Sequence, residues 1–377
     1  MLKKVYISQT NCITPLGFDV VSNVNNIAKG ISGIQKHDDS SLMKVPFYAA
    51  MVNETDLNKA FAEITPIQTY TKLEKMMLLA LHPMVKKEKI NERTAFILST
   101  TKGNITALED SNNPIEKAHL ATLAKTIADF FGFKTQPIVV SNACVSGILA
   151  VSVAKRLIQS ELYDEVFVVA GDLVSEFVLS GFNSFQAMSD AACKPYSLHR
   201  NGVSLGEATA AVLVTSDKEN AKVAVVGDGS INDANHISGP SRTGEGLFRS
   251  IQSALSEAVL TAETIDYISA HGTATPFNDE MEAIAFNRLN LEKVPVNSLK
   301  GYYGHTLGAS GLLETVIGIE SVLQNKLFVS LGFDEMGVSQ PIAIIQKNEE
   351  KNINYFLKTA SGFGGCNTAV VFEKVNQ

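Results

Sequence analysis

The sequence predicts an α/β protein: a duplicated αβαβα layered sandwich with two central buried helices. Three observations carry this. Apolar strand-like runs alternate with helical runs along the whole chain, which builds sheets covered by helices. The chain also repeats its own plan in its second half. And one helix in each half is apolar on nearly every face, as a helix enclosed on all sides must be.

The repeat can be followed element by element. "TAFILSTTKGN" (94–104) is an apolar strand running into a Thr/Gly loop, and "IDYISAHGTAT" (265–275) has the same form. "PIVVSNACVSGILAVSVAKRLIQSE" (137–161) is a strand, a tight turn of small residues and a long helix, and 294–325 repeats it with a longer turn. "EVFVVAGDLVSE" (165–176) parallels "NYFLKTASGFGG" (354–365), and "GEATAAVLVTSD" (206–217) parallels "GGCNTAVVFEK" (364–374). The join falls in the polar stretch 215–223, which divides the chain into halves 1–218 and 219–377 within a single compact unit. The residues after Cys144 are small or apolar, Ser146 and Ser152 apart, as far as Lys155, and the second helix, from Gly308 to Ile319, is similarly apolar. Two such helices, one per half, are expected between two sheets.

Composition narrows the function. The chain has 377 residues, 45% hydrophobic and 19% charged, with a net charge of −7. That is the profile of a globular enzyme or binding protein and lacks the basic footprint of a nucleic-acid binder. Cys12, Cys144, Cys193 and Cys366 are scattered, with no CxxC pair and no Cys/His set at zinc spacing, so neither a metal site nor a disulfide framework is expected. The opening "MLKKVYISQTNCITPLG" reads as a strand and not a signal peptide. No apolar run is long enough for a membrane span, and the expected compartment is the cytoplasm.

The chemistry centres on "SNACVSGILA", 141–150. A strand ending at Ser141 and a helix starting near Cys144 place the thiol on a strand–nucleophile–helix elbow, exposed at the top of a sheet. The free N–H groups and partial positive charge of the helix terminus favour a thiolate there. Taken alone, a cysteine among small residues is more often core filler. Two of the seven histidines alter that balance: His271 in "SAHGTATPFND" and His305 in "KGYYGHTLGASG" each follow an apolar strand. The His305 turn is the repeat's counterpart of the Cys144 turn, so an approximate two-fold axis would bring all three turns together. A thiol with two imidazoles is a coherent set for acyl transfer.

These motifs resemble those of the β-ketoacyl synthases of the thiolase superfamily, over nearly the whole chain. The resemblance rests on the "PLG" turn, "NACVSG", "HGTATPFND", "KGYYGHTLGASG", "RNGVSLGEA" (200–208) and "GFGGCN" (362–367), in that order. It implies a thiolase-like fold and decarboxylative condensation of malonyl-acyl carrier protein with an acyl chain held on Cys144. His271 and His305 would stabilise the enolate oxygen, and Lys300 would order His271 together with Glu282. Phe363 would gate the acyl pocket and, with Cys144, supply oxyanion-hole N–H groups in a turn that Gly364 supports. Thr273 and Thr275 would hydrogen-bond the phosphopantetheine arm, which arrives on the carrier protein, so that no tightly bound cofactor is implied. Lys72 and Lys75 are candidates for a basic docking patch for the acidic carrier. The Cys-His-His set points to the elongating class, acting in fatty-acid or fatty-acid-like (polyketide, aryl polyene, pigment) biosynthesis. The implied assembly is a homodimer, or a heterodimer with a chain-length-factor-like subunit. Inactive chain-length partners lose the nucleophile, which this chain keeps.

Overall fold

The computed structural model describes residues 3–67, 69–85, 90–109, 114–235, 237 and 239–376. Eleven strands form its main sheet: β1 (Tyr6–Ile13), β2 (Thr94–Ser99), β3 (Ile138–Val140), β4 (Glu165–Asp172), β5 (Ala208–Thr215), β6 (Val223–Asn232), β7 (Tyr267–Ser269), β8 (Pro295–Asn297), β9 (Ala343–Ile344), β10 (Tyr355–Gly362) and β11 (Cys366–Lys374). Their spatial order is β9-β8-β7-β10-β11-β6-β1-β5-β4-β2-β3.

That order contains the duplication. Read outward from the middle, the first half runs β1-β5-β4-β2-β3 and the second runs β6-β11-β10-β7-β8. Each of the four repeated stretches occupies the same place in its own set. Strand β9, paired parallel to β8 through Pro295↔Ala343 and Val296↔Ile344, has no counterpart in the first half. The expectation of two separate sheets is modified at one point. β1 and β6 pair through Tyr6↔Ala224 and Ile7↔Val223, so the two five-stranded sets are joined edge to edge.

The strands are buried on both faces, and their alternation assigns side chains to different layers. In β2, Ile97 faces the central core and Phe96 and Leu98 face an outer one. The outer layer of the first half is α1 (Lys72–Val85) and α2 (Leu120–Phe131), packed through residues such as Met77 and Ile127. Two central helices follow, α3 (Ser146–Gln159) and, from the second half, α6 (Ser310–Gln324). The outer layer of the second half is α4 (Glu245–Ala258) and α5 (Pro276–Arg288), through Ile251 and Phe286. Together these are the five αβαβα layers.

α3 and α6 approach so closely that small residues are required at their contact. A Cβ on Gly147 would sit 2.7 Å from the Gly308 carbonyl oxygen, and one on Gly311 would sit 2.9 Å from the Ile148 Cβ. The small residues after Cys144 therefore serve packing as well as chemistry. This contact also brings the turns leading into α3 and α6 side by side. No helix among the described residues is long and apolar enough to cross a membrane.

Candidate active site

The nucleophile elbow is held from within. Ala143 takes a left-handed conformation (φ 44°), which a non-glycine residue adopts only when its surroundings demand it. The Ser146 hydroxyl donates to the Ala143 carbonyl at 2.6 Å and accepts from the Asn142 N–H at 2.8 Å, locking the turn at the head of α3. Gly362, at the end of β10, is backed against it: a Cβ there would lie 2.9 Å from the Cys144 nitrogen.

His305 lies in the turn before α6. Its N–H donates to the Ser204 carbonyl at 2.7 Å and its carbonyl accepts from the Gly206 N–H at 3.0 Å, so the "SLGEA" stretch pins its backbone. Its Nε2 is 3.1 Å from the Cys144 Sγ, and its Nδ1 is 3.0 Å from the Ser310 hydroxyl. The His271 ring stands edge-on to the His305 ring at 5.2 Å. The Cys144 sulfur and one ring nitrogen of each histidine lie within 4.8 Å of one another, the one such group of potential metal ligands among the described residues. They open on a cavity of about 350 Å³ that Thr273, Thr275 and Phe363 also line.

The charged support differs from expectation in its partners. Lys300 Nζ donates to the His271 carbonyl at 2.6 Å and contacts His271 Nδ1 at 3.3 Å, as its proposed ordering role requires. Its carboxylate partner, however, is Glu314 at 2.7 Å and not Glu282. Glu282 instead accepts from the N–H groups of His271 (2.9 Å) and Gly272 (2.6 Å), fixing the backbone of the turn from α5. The reason is direction: Glu314 projects from the central helix toward Lys300, whereas Glu282 reaches the strand end from outside. An ammonium can only donate, so the contact with Lys300 leaves His271 Nδ1 as acceptor and its proton on Nε2.

The expected exposed thiolate is also corrected. Cys144 is buried, and burial first, then Cys366, push its thiol up to about 12. The β10–β11 hairpin packs against the elbow through Gly362 and Cys366, and this burial opposes the thiolate that the helix terminus favours. Both imidazoles are held well below their ordinary value: His271 by burial, then Lys300, His305 and Lys358, and His305 by burial, then Lys300. The resting site is therefore a neutral thiol between neutral imidazoles.

That has a consequence for stability. Unfolded histidines take up protons near pH 6.5, and these two do not while the chain is folded. Stability present above that pH is therefore lost as pH falls through it. Urea unfolding from pH 7.5 to 5 is expected to show up to about 1.4 kcal/mol lost per pH unit per histidine. The double replacement His271→Gln/His305→Gln should flatten the dependence, and an unchanged slope would contradict the assignment.

The other expected residues divide. Thr273 and Thr275 are hydrogen-bonded to each other through their hydroxyls at 2.9 Å on the cavity wall. Phe363 stacks on Phe182 (5.6 Å) and meets Phe185 edge-on (5.3 Å), so the expected gate residue belongs to an aromatic cluster of which sequence reading found one member. Gly364 is exposed and donates its N–H to the Ile237 carbonyl at 2.6 Å, supporting the turn from outside the cavity. Lys72 is no free docking charge: its Nζ is 2.7 Å from the buried Glu207 and its side chain is 16% exposed. Lys75 donates to Asn58 at 2.7 Å, and neither lysine lines the cavity.

Three charged residues also escaped the sequence reading. Glu314 is the lone acid in the apolar run 308–319, and that isolation was the available signal. Lys358 interrupts the apolar strand β10 in the same way. Asp172, at the end of β4, accepts from the Thr100 hydroxyl (2.8 Å), from the N–H groups of Thr101 (3.0 Å) and Lys102 (3.1 Å), and from the Gly308 N–H (2.8 Å). It thereby ties the first half to the turn that carries His305.

Such a fold around such a site defines a thiolase-fold enzyme of the acyl-transferring kind. The sequence pattern of the β-ketoacyl synthase N-terminal domain matches residues 3–220, and that of the C-terminal domain matches residues 222–334. The chain belongs to the β-ketoacyl synthase family, the acyltransferase-type condensing enzymes of acyl-chain biosynthesis. It is 27% identical to a putative mitochondrial 3-oxoacyl-[acyl-carrier-protein] synthase of Schizosaccharomyces pombe, with all of both chains covered. It is 26% identical to 3-oxoacyl-[acyl-carrier-protein] synthase 2 of Staphylococcus aureus (strain COL), over 99% of this chain and 98% of the relative. A chain of the complex between the ketosynthase ApeO and its chain length factor ApeC, from Xenorhabdus doucetiae, shares the fold with a TM-score of 0.88 at 24% identity, covering 99% and 98% of the two chains.

Proposed function

We propose that this chain condenses malonyl-acyl carrier protein with an acyl group held on Cys144, the nucleophile coming from half 1–218 and both histidines from half 219–377. The observation that carries the reading is the 3.1 Å contact between Cys144 Sγ and His305 Nε2, with His271 beside it. In the first step Sγ attacks the acyl thioester and the thiol proton leaves through His305 to the departing phosphopantetheine thiol. The backbone N–H groups of Cys144 and Phe363 serve the oxyanion. In the second step malonyl loses CO₂, and its C–C bonding pair becomes an enolate whose oxygen accepts from His271 and His305 Nε2–H donors. The enolate carbon attacks the acyl carbonyl, the Cys144–carbon bond breaks, and the thiolate takes from solvent the one proton that the net reaction consumes. The Ser310 hydroxyl can donate or accept, so His305 can present bare Nε2 in one step and Nε2–H in the next.

The carrier protein is the partner because both curated relatives above are named for it. Thr273 and Thr275 are the hydroxyls for its phosphopantetheine arm, and the enzyme needs no tightly bound cofactor of its own. The pathway is fatty-acid or fatty-acid-like synthesis in the cytoplasm. Pairing with a chain-length-factor-like subunit is the second reading, favoured by the complex in which the Xenorhabdus neighbour was solved. Intact-mass analysis with a panel of acyl-carrier thioesters tests the proposal. The acyl increment is expected on the native enzyme and not on Cys144→Ala; an increment on the variant overturns it. Sizing the chain alone then separates the assemblies, since an active homodimer would remove the need for a second subunit.

A further inference from the structure

Lys358 lies on β10, fully buried, with its register partner Ser269 at the end of the neighbouring strand β7. Its ammonium has no solvent, and no step described above uses it beyond its charge acting on His271. It sits in a cage of four oxygens: the carbonyls of Thr359 (2.6 Å), Ser269 (3.0 Å) and Ala270 (3.3 Å), and Glu314 Oε2 (2.7 Å). Three hydrogen-bond donors do not match four oxygens on all sides. The cage has instead the character of a small-cation site, in which carbonyl oxygens replace a hydration shell.

Its position gives the cage a task. Ser269 and Ala270 are the two residues before His271, and Lys300 takes the His271 carbonyl itself at 2.6 Å. Three successive carbonyls are thus held by two ammonium groups, and the two are linked through opposite oxygens of Glu314, at 2.7 Å each. Remove the Lys358 charge, and Glu314 keeps one partner, the strand end loses its anchor, and the Lys300–His271 contact loses its fixed geometry. Loss of one of two counter-charges from a buried ionic group is costly.

We propose that the Lys358 ammonium is a built-in monovalent cation, a positioning group that holds the His271 turn and would be replaceable by a free ion of the same charge. The carbonyl and carboxylate distances suit ammonium or potassium better than the smaller sodium ion. The native enzyme should then be indifferent to which monovalent cation is present. Truncation at this position should create a cation requirement where none existed. The inference rests on the condensing reaction only for its activity readout.

The test uses the whole chain with Lys358→Ala and Lys358→Met, melted and assayed in choline chloride, ammonium chloride or potassium chloride at equal ionic strength. For Lys358→Ala, ammonium or potassium is expected to raise the melting temperature saturably, by at least about 3 °C, because an ion that binds only the folded state stabilises it by mass action. Condensation by the same variant should recover at least roughly tenfold, mainly in kcat, since the positioned group acts on the reacting centre and not on carrier binding. Lys358→Met fills the same space without a charge and should not respond, and the native enzyme should behave alike in all three salts. A Lys358→Ala response no larger than that of the native enzyme or of Lys358→Met overturns the proposal. So does failure of both Lys358→Ala and Lys358→Ser to fold at any cation concentration. Melting needs no acyl transfer, so a native enzyme that never acylated Cys144 would defeat the condensation reading and leave this result standing.

Discussion

Release of CO₂ from malonyl-carrier protein without condensation is expected to fall about 10²–10³-fold in His271→Ala and in His305→Ala, the usual loss when one oxyanion donor is removed, and to persist in Cys144→Ala. The enolate oxygen needs donors aimed at it, and the structure provides two neutral imidazoles. The proton of His271 is directed to Nε2 by the Lys300 contact at its Nδ1 (3.3 Å). In the proposed mechanism the thiol is the acyl acceptor and takes no part in the carboxylate loss. Conversion of malonyl- to acetyl-carrier protein, followed by mass spectrometry, reads the step directly. Loss of decarboxylation in Cys144→Ala, or its retention in either histidine variant, would reverse the assignment of roles.

The second large effect is on stability. Glu314→Ala leaves Lys300 and Lys358, at 1% and 0% side-chain exposure, without their shared carboxylate. Removing one partner of a buried ionic group typically costs about 3–5 kcal/mol, because the charge that remains is neither solvated nor paired. Urea unfolding of Glu314→Ala should show a loss of that order. A loss below about 1 kcal/mol would mean that the lysines find other partners or give up their protons cheaply. Glu314→Gln separates the causes: it fills the same space, but its single carbonyl oxygen can accept from only one of the two ammonium groups, so any loss it shares with Glu314→Ala comes from the lost charge and acceptor and not from a cavity.

Much of the architecture was legible because a repeat constrains topology. Once 94–104 matched 265–275 and 137–161 matched 294–325, the equivalent strand orders followed, and the turns of Cys144 and His305 had to be neighbours. The three residues could be read because each sits in a turn rich in small residues that follows an apolar strand. What could not be read was partnership. Whether Lys300 meets Glu282 or Glu314 depends on which side of the turn each helix approaches from, and no spacing encodes that. Lys72 looked like a surface charge because its helix is amphipathic, and only the fold shows Glu207 waiting beneath it. The protonation of Cys144 was missed for a related reason. A helix terminus is a local feature and visible in one stretch, while the desolvation that overrides it comes from a hairpin more than two hundred residues later. Glu314 and Lys358 could have been suspected, since a charge inside an apolar central element must find a partner there.

The edge-to-edge joint of the two halves has a bearing on biogenesis. Only two residue pairs of β1 and β6 link the five-stranded sets, while the contact that matters for chemistry spans 161 positions, from Cys144 to His305. Neither half holds a working centre by itself, and the central helices have no complete burial until they meet. Competence thus requires both halves to be folded and docked. During synthesis the nucleophile is made long before its imidazoles exist, and it has no partner for acyl transfer until the second half closes over it.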